Sequence, residues 1–253
     1  PGWQGEMNEF GQLILSRIET NSKKEAISAT IDPVMLEVFN NLFMHVAEQM
    51  GVVLEHTAHS VNIKERLDFS CALFDAEGEL IANAPHIPVH LGSMGESVKA
   101  VLSQNRNDMG PGDVYVLNAP YNGGTHLPDI AVVMPVFYDG RPIAISAAMT
   151  HHQDVGGMSP GSVPPNAREI YQEGIRIPPL KLREGDVFND TLLQMLQLNV
   201  RVPQVFMGDL SAQISACTIG SRRMIELADQ YGHIQIQNTF EDLLDRSEQL
   251  TRK

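Results

Sequence analysis

The chain has 253 residues, of which 43% are hydrophobic and 19% are charged, values typical of one large or two small globular domains. Its net charge of −13 would repel a phosphate backbone and argues against nucleic-acid binding, and no apolar run approaches the roughly 20 residues of a membrane-spanning helix. The first residues lack the pattern of a secretion signal, and the two cysteines, Cys71 and Cys217, fit a cytoplasmic protein better than a disulfide framework.

The N-terminal part of the chain predicts an arm followed by a long helix. Residues 1–31 show no clear apolar period, and we interpret them as an N-terminal arm that precedes a domain over residues 32–253. Asp32 and Pro33 mark the start of a helix, because aspartate caps the first turn and proline is favoured at its first position. Apolar residues at steps of three and four then carry this helix to about His56.

The rest of the chain predicts an α+β fold with a central, mostly antiparallel or mixed sheet flanked by long helices. Asp139-Gly140 lies between two of the predicted strands and is the strongest short hairpin signal. The last helix is still running where the chain stops at Lys253, so we expect a piece of a longer polypeptide. The predicted strands span 69–75, 79–84, 113–118, 130–138 and 141–151. The later helices are predicted to start at Ser93, in a capping box with Glu96, to span 191–199 and 210–231, and to start again at Thr239.

The segment from Gly110 to Ala167 has an unusual composition. It carries five charged residues, four of them aspartates, together with eight glycines, eight prolines and three histidines. Solvated loops usually carry more charge, so this composition indicates loops that fold inward around a site. The alternative is a buried β core with tight turns.

The open end of the predicted hairpin collects metal-binding residue types. If Asp139 and Gly140 form a two-residue turn, Asp129 lies opposite Thr150, and directly opposed residues are about 5 Å apart. Imidazole and carboxylate ligands with open positions for water suit Mn, Fe or Zn. The alternative is that these histidines only satisfy buried backbone groups. The hairpin mouth contains His126 and Asp129 on one arm, and His151, His152 and Asp154 on the other.

Strand geometry leaves the choice between His151 and His152 open. Adjacent strand residues point to opposite faces, so at most one of the two is expected to bind a metal directly. Pro135 within the first strand indicates either an edge position or a bulge, and a bulge would reverse the side-chain parity.

Three other patterns give no support to alternative chemistry. Gly157 to Gly161 matches the nucleophile elbow of serine hydrolases, but Pro160 removes the backbone N–H that the oxyanion hole requires. No phosphate-binding loop of the nucleotide-binding classes is present. His86 and His90 are four residues apart, but Pro88 between them argues against their alignment as a metal pair.

Five segments resemble the signatures of the hydantoinase B/oxoprolinase family, and the resemblance extends from about Asp32 to Gly232. It implies that residues 32–253 are the N-terminal part of a catalytic domain of this type, and that the whole protein is about twice as long. The segments are 65–75 (ERLDFSCALFD), 88–94 (PVHLGSM), 118–129 (NAPYNGGTHLPD), 150–157 (THHQDVGG) and 208–213 (GDLSAQ).

The resemblance implies a set of site residues. A His-x-x-Asp pair and a later histidine hold the metal in related subunits, and these positions correspond here to His126, Asp129 and His151. His152 and Asp154 are then expected to act as catalytic residues that face the substrate and accept a proton. The groups expected to face substrate or phosphate are the backbone at Gly123, Gly124, Gly156 and Gly157 and the side chain of His90.

The resemblance also implies a reaction class and a partner. We expect the metal-containing B-type subunit of an ATP-dependent hydrolase that opens a cyclic amide such as a hydantoin, 5-oxoproline or a lactam. An A-type ATPase subunit would bind ATP and phosphorylate the amide oxygen, which makes a hetero-oligomer with a small-molecule substrate. One alternative is a subunit of an ATP-dependent ketone carboxylase, and a second is a non-catalytic interaction subunit stabilised by its metal.

Overall fold

The computed structural model describes residues 3–7, 13–17, 32–84 and 87–252, and the chain divides into two compact units, Pro1–Asp32 and Pro33–Lys253. In the first unit, strand β1 (Trp3–Met7) pairs with strand β2 (Leu13–Arg17) in an antiparallel ribbon. An arm was predicted over this stretch, and the ribbon was not. The rest of the predicted arm lies outside the described residues.

The second unit is built from seven strands and six helices among its described residues. The strands are β3 (Phe69–Phe74), β4 (Leu80–Asn83), β5 (Val114–Leu117), β6 (Asp129–Tyr138), β7 (Arg141–His151), β8 (Leu180–Glu184) and β9 (Val187–Phe188). The helices are α1 (Pro33–Thr57), α2 (Val61–Lys64), α3 (Pro88–Asn105), α4 (Asp190–Leu198), α5 (Pro203–Tyr231) and α6 (His233–Thr251). Within the described part of the chain, no helix combines the length and the apolar character needed to cross a membrane.

The strands form one antiparallel sheet in the order β4-β3-β7-β6-β5-β8-β9, with helices on both faces. On one face, Ala131 and Met149 pack with Met94 and Val98 of α3. The other face packs against α1, α5 and α6 in a larger apolar cluster. The sheet therefore separates two compartments, and the face to which a side chain points decides what it can contact. This agrees with the predicted α+β class.

The structure confirms most of the predicted elements and moves several starts. Helix α1 is confirmed, as are the strand pair β3–β4 and strand β5. The predicted start at Ser93 is wrong, because α3 begins five residues earlier with Pro88 in its first turn, and Ser93 lies inside it. The predicted start at Thr239 is also wrong, because this residue is a buried interior position of α6. Strands β8 and β9 were not predicted.

The hairpin of β6 and β7 is confirmed. Asp139 and Gly140 form its turn with φ values of 49° and 74°, the left-handed conformation that a tight two-residue hairpin requires. Strand β6 lies in the middle of the sheet, so the expectation that Pro135 marks an edge strand is wrong. The other expectation, a bulge, is confirmed, because the register shifts between Val136 and Phe137.

The bulge decides which residues meet at the open end of the hairpin. At this point β7 contributes one residue more than β6, and every pair further from the turn is displaced by one position. Asp129 therefore lies opposite His151, and the prediction of Thr150 as its partner is wrong. Because directly paired residues point to the same face of a sheet, the bulge places both side chains on the face covered by α3.

Candidate metal centre

A row of polar residues crosses three adjacent strands at one end of the sheet. Asp68 immediately precedes β3, His151 ends β7, and Asp129 begins β6. The backbone N–H of His151 donates to the carbonyl oxygen of Asp68 at 3.1 Å, and His151 pairs with Asp129 on its other side. His151 Nδ1 consequently lies 3.5 Å from Asp129 Oδ1 and 3.8 Å from Asp68 Oδ2.

His126 joins this row from the loop that precedes β6. The backbone N–H of Asp129 donates to the carbonyl oxygen of His126 at 3.1 Å, which closes a tight turn. This turn places His126 Nδ1 at 2.9 Å from Asp129 Oδ2, and the rings of His126 and His151 have centroids 4.9 Å apart. Buried Asn118 fixes the loop, because its amide nitrogen donates to the Leu127 carbonyl oxygen at 2.7 Å.

Helix α3 adds His90 from the layer above the sheet. Proline at position 88 starts the helix, and the buried side chain of His90 in its first turn points at the row. His90 Nε2 lies 3.5 Å from Asp129 Oδ2 and 3.8 Å from Asp68 Oδ1. His90 therefore contacts the group, and its contact with substrate stays a prediction. His86, the other half of the rejected histidine pair, lies outside the described residues.

Asp129 is the electrostatic centre of the group. Burial favours the neutral acid, but hydrogen bonding from His126, His151 and His90 outweighs it and holds the pKa of the Asp129 carboxyl far below its usual range. The hydrogen bond to Asp129 in turn raises the pKa of His126, against the opposing effect of partial burial. The Thr125 hydroxyl also donates to Asp129 Oδ2 at 2.8 Å. Asp129 is therefore an ionised carboxylate in a ring of donors.

The residues fit a divalent transition metal. One ligand atom from each of His126, Asp129 and His151 lies within 4.8 Å of the others, so rotation of these side chains can bring all three to one ion with bonds of about 2.0–2.3 Å. Asp129 Oδ1 is buried, and among the described residues its one near polar neighbour is His151 Nδ1 at 3.5 Å, too long for a well-formed hydrogen bond. A buried carboxylate oxygen satisfied so weakly suits a bound cation. Only 3% of the Asp129 side chain is exposed against 46% for His126, so the group opens to solvent on its histidine side.

Asp68 is the residue of this group that sequence reasoning missed. Asp68 was not among the predicted site residues, because it lies far from the hairpin in the chain. Its proximity depends on the pairing of β3 with β7, where Phe69 lies opposite Thr150. A local pattern cannot reveal a pairing between strands that are about 80 residues apart.

The predicted catalytic residue His152 is not part of the group. It is fully buried, its Nε2 lies 2.9 Å from Gln213 Oε1, and its ring packs 4.8 Å from the ring of Phe206. Both partners belong to α5, so His152 lies on the opposite side of the sheet from the metal candidates. Burial lowers its pKa and keeps the ring neutral. His152 thus makes a buried contact with α5 and not with the metal candidates, and its expected contact with substrate stays a prediction.

The predicted catalytic residue Asp154 also has another role. Its Oδ1 accepts hydrogen bonds from the backbone N–H groups of Gly156 and Arg201, and its Oδ2 accepts from Gly161 N–H and from Arg201 Nη1 at 2.9 Å. Burial opposes ionisation, but these bonds keep the pKa of Asp154 below its usual value. Because all four bonds lie within the protein, Asp154 anchors its loop, and its expected role as a proton acceptor stays a prediction.

The glycines expected to face phosphate pack against the protein's own backbone. A Cβ at any of Gly123, Gly124, Gly156 and Gly157 would collide with a carbonyl oxygen. The N–H groups of Gly124 and Gly156 donate within the chain, to Ala119 and Asp154. These two groups are therefore not available to an oxyanion, which corrects the prediction at those positions. The four carbonyls are those of Glu96, Asn118, Asn199 and Gln172, in the order of the glycines.

Comparison with known proteins identifies the family. A family model described as hydantoinase B/oxoprolinase matches residues 32–253. The chain belongs to the hydantoinase B/oxoprolinase family. It is 41% identical over 238 residues to 5-oxoprolinase 1 of Arabidopsis thaliana, a match that covers 89% of this chain and 19% of that protein. It is 35% identical over 243 residues to a protein of Pseudomonas sp. strain NS671 named as the B-type subunit of a D-/L-hydantoinase, covering 94% of this chain and 40% of that one.

Two solved structures share the hydantoinase B/oxoprolinase fold. An ATP-dependent caprolactamase from Pseudomonas jessenii matches with a TM-score of 0.83 and 36% identity, over 88% of this chain and 38% of that chain. A nucleotide-free acetone carboxylase matches with a TM-score of 0.78 over 83% of this chain and 28% of that one, at 21% identity, and this likeness concerns the fold alone. The chain thus spans between about a fifth and two fifths of these relatives.

Proposed function

We propose that this chain is the metal-binding part of an ATP-dependent hydrolase that opens cyclic amides. The observation that carries the proposal is the group of His126, Asp129 and His151, which forms a carboxylate-centred site that is open on one side. Relatives named 5-oxoprolinase, hydantoinase and caprolactamase support a cyclic amide as the substrate class.

The three residues would hold a divalent transition metal, with Mn, Zn and Fe as the candidates. Such an ion, when bound, lowers the pKa of a coordinated water and so supplies a nucleophile near neutral pH. The chain itself supplies the ionised carboxylate of Asp129 and the two partly exposed imidazoles. Asp68 and His90 lie within 4 Å of this group and are placed to orient it or to add a ligand.

Substrate activation requires a second component. An amide carbonyl is a poor electrophile, and transfer of the γ-phosphoryl group of ATP to its oxygen creates a better leaving group. No phosphate-binding loop of a known nucleotide-binding class is present in the sequence. We therefore propose an A-type ATPase partner, which makes the active species a hetero-oligomer. The chain has two cysteines, both buried, which is too few for a disulfide framework and supports a cytoplasmic location.

Elemental analysis and ring-opening assays test the proposal. The purified chain should carry close to one divalent metal, and His126→Ala or Asp129→Ala should lose it. With an A-type partner and ATP, the parent protein should open at least one of 5-oxoproline, hydantoin and caprolactam, and both variants should be inactive. Retention of metal in both variants would contradict the site, and turnover of a ketone with bicarbonate instead of a cyclic amide would favour the carboxylase reaction.

A further inference from the structure

Helix α5 carries two fully buried polar side chains that the proposed function does not use. Asp209 and Gln213 belong to the GDLSAQ segment and have no exposed surface. They are four residues apart, so they lie on the same face of the helix one turn from each other. Buried polar groups are costly unless they form hydrogen bonds, so the bonds that these two side chains make indicate what they do.

Gln213 bridges the two strands that carry the metal candidates. Its Nε2 donates to the carbonyl oxygen of Ile130 on β6 at 2.8 Å and to that of Ala148 on β7 at 3.1 Å. Ile130 directly follows Asp129 in the chain. The side-chain amide of Gln213 thus holds the two strands together next to the open end of the hairpin.

The side-chain oxygen of Gln213 determines which ring nitrogen of His152 carries the proton. Both N–H groups of Gln213 point to carbonyl oxygens, so its Oε1 acts as an acceptor and His152 Nε2 carries the proton in the 2.9 Å hydrogen bond. The backbone N–H of His152 donates to the carbonyl oxygen of Pro128 at 2.8 Å. Pro128 and His152 are the chain neighbours of Asp129 and His151, so these bonds hold the backbone of both ligand candidates.

Asp209 fixes the segment that leads to the third strand of the row. Its Oδ1 accepts hydrogen bonds from the backbone N–H groups of His59 at 2.7 Å and Ser60 at 3.0 Å, which fixes the start of α2. On that helix the carbonyl oxygen of Asn62 accepts a hydrogen bond from the backbone N–H of Asp68 at 3.0 Å. Asp209 therefore fixes the segment that leads to Asp68, as Gln213 fixes the backbone around Asp129.

We propose that Asp209 and Gln213 are positioning residues that set the geometry of the candidate metal centre from the opposite face of the sheet. Hydrogen bonds from α5 add to the backbone pairing that already joins the strand ends, and metal binding requires ligand atoms placed within a few tenths of an ångström. This inference rests on the metal-binding part of the proposed function. The competing explanation is that the two side chains only hold α5 against the sheet.

Gln213→Met tests the inference, because methionine has a similar length and forms none of the three hydrogen bonds. The metal-free full chain is titrated with Co²⁺, and affinity is measured by calorimetry and ligand geometry by the visible absorption of the bound ion. We expect a dissociation constant about 10–100-fold weaker, the usual effect of removing a residue that orients metal ligands. The visible spectrum should also change, with one Co²⁺ still bound at saturation.

Ser146→Ala is the matched control. The buried hydroxyl of Ser146 on β7 donates to the carbonyl oxygen of Cys217 on α5 at 2.8 Å, so it also joins this helix to the sheet, but far from the row. It should lower thermal stability without changing Co²⁺ affinity or spectrum. An equal weakening of Co²⁺ binding in Ser146→Ala and Gln213→Met would support the competing explanation and overturn the inference.

A pair of substitutions at Asp209 gives a second test that does not depend on Gln213. Asp209→Asn keeps an oxygen that accepts from His59 and Ser60 and should bind Co²⁺ like the parent, whereas Asp209→Ala should bind it at least about 10-fold more weakly. If both Gln213→Met and Asp209→Ala bind Co²⁺ with the affinity and spectrum of the parent, the inference is overturned but the proposed metal centre is not. Absence of Co²⁺ binding to the parent chain would overturn the proposed metal centre, and this inference with it.

Discussion

At the scale of single residues, Asp129 organises the candidate centre. Three histidines from a loop, a strand and a helix approach its carboxylate, at distances of 2.9 to 3.5 Å. The carboxylate is nearly inaccessible to solvent, and within the described residues its Oδ1 has only the long 3.5 Å contact with His151 Nδ1. A group of this kind is stable as an ion only when cationic or donor atoms surround it.

The adjacent residues His151 and His152 should respond differently to substitution. His151→Ala should abolish metal binding with little effect on the metal-free fold, because the side chain is partly exposed and lies in the metal group. His152→Ala should keep one metal per chain at saturation but lower the free energy of unfolding, because it leaves a cavity beside Phe206 and an unpaired Gln213.

Metal analysis and urea unfolding of both variants check this prediction. The metal-free forms are compared for stability and the metal-loaded forms for stoichiometry. Loss of metal in His152→Ala with full retention in His151→Ala would show that the register at the hairpin mouth is displaced by one residue from that described.

Asp154 should matter for stability rather than for proton transfer. Asp154→Ala removes four hydrogen bonds and leaves Arg201 without its carboxylate partner, so the free energy of unfolding should fall by at least about 2 kcal/mol. In the metal-loaded complex, the pH dependence of turnover should keep the shape of the parent profile. Loss of one limb of that profile, with unchanged urea unfolding, would instead identify Asp154 as the proton acceptor.

At the scale of elements, the β-bulge in the β6–β7 hairpin is the decisive feature. The turn at Asp139 and Gly140 was evident from local sequence, and the strands on either side of it follow from alternating apolar residues. One additional residue on β7 then moves every later pair by one step, and this brings Asp129 opposite His151. The residues at the turn thus determine where the hairpin reverses, and the bulge determines which residues meet at its open end.

Interactions of Asp113 near the edge of the sheet make the stability of the fold depend on pH. Asp113, just before β5, accepts hydrogen bonds from the backbone of Gly185 between β8 and β9 and forms a 3.0 Å ion pair with Lys181 of β8. Burial opposes ionisation of Asp113, but these contacts together with Gly110 hold its pKa below the usual value. A carboxyl with a lower pKa in the folded state stabilises the fold above its unfolded pKa of about 3.9, and the contribution is lost as pH falls through the folded pKa.

Asp113→Asn should therefore be less stable than the parent at neutral pH, and the difference should shrink as the pH falls below about 4. Urea unfolding of the metal-free chain over a series of acidic pH values measures this convergence. Asp139→Asn removes an exposed carboxyl at a turn that tolerates asparagine, and it controls for the loss of one negative charge. A difference that stays constant from neutral to acidic pH would contradict the assignment.

At the scale of the whole molecule, the two faces of the sheet carry different groups. The face under α3 carries the metal candidates at one end, and the face under α5 carries the buried network of Asp209, His152 and Gln213 that supports them. The chain spans less than half of the relatives compared with it, so a catalytic cycle proposed for the family involves more than this chain.

The chain alone should neither bind nor hydrolyse ATP. Its sequence contains no phosphate-binding loop of the nucleotide-binding classes, so a calorimetric titration with ATP and Mg²⁺ should show no binding. ATP turnover should appear when an A-type ATPase partner is added together with a cyclic amide. Tight binding of ATP to the isolated chain would contradict this division of labour between the two proteins.

The sequence by itself determined the main helices, the central hairpin and the family, because each depends on residues close together in the chain. Capping residues, apolar periods and the Asp139-Gly140 turn act locally, and long motifs such as residues 118–129 are specific without any structure. The sequence also placed His126, Asp129 and His151 at one end of a hairpin, although whether they bind a metal stays a prediction.

Only the tertiary structure decided which polar residues meet. A strand pairing brings Asp68 to His151, and a helix packing brings His90 to Asp129. Both contacts join distant parts of the chain, and no local pattern encodes either of them. The tertiary structure also placed His152 on the opposite face and committed Asp154 to Arg201. The physical reason is that a side chain's face in a sheet depends on register, and one bulge residue is enough to change it.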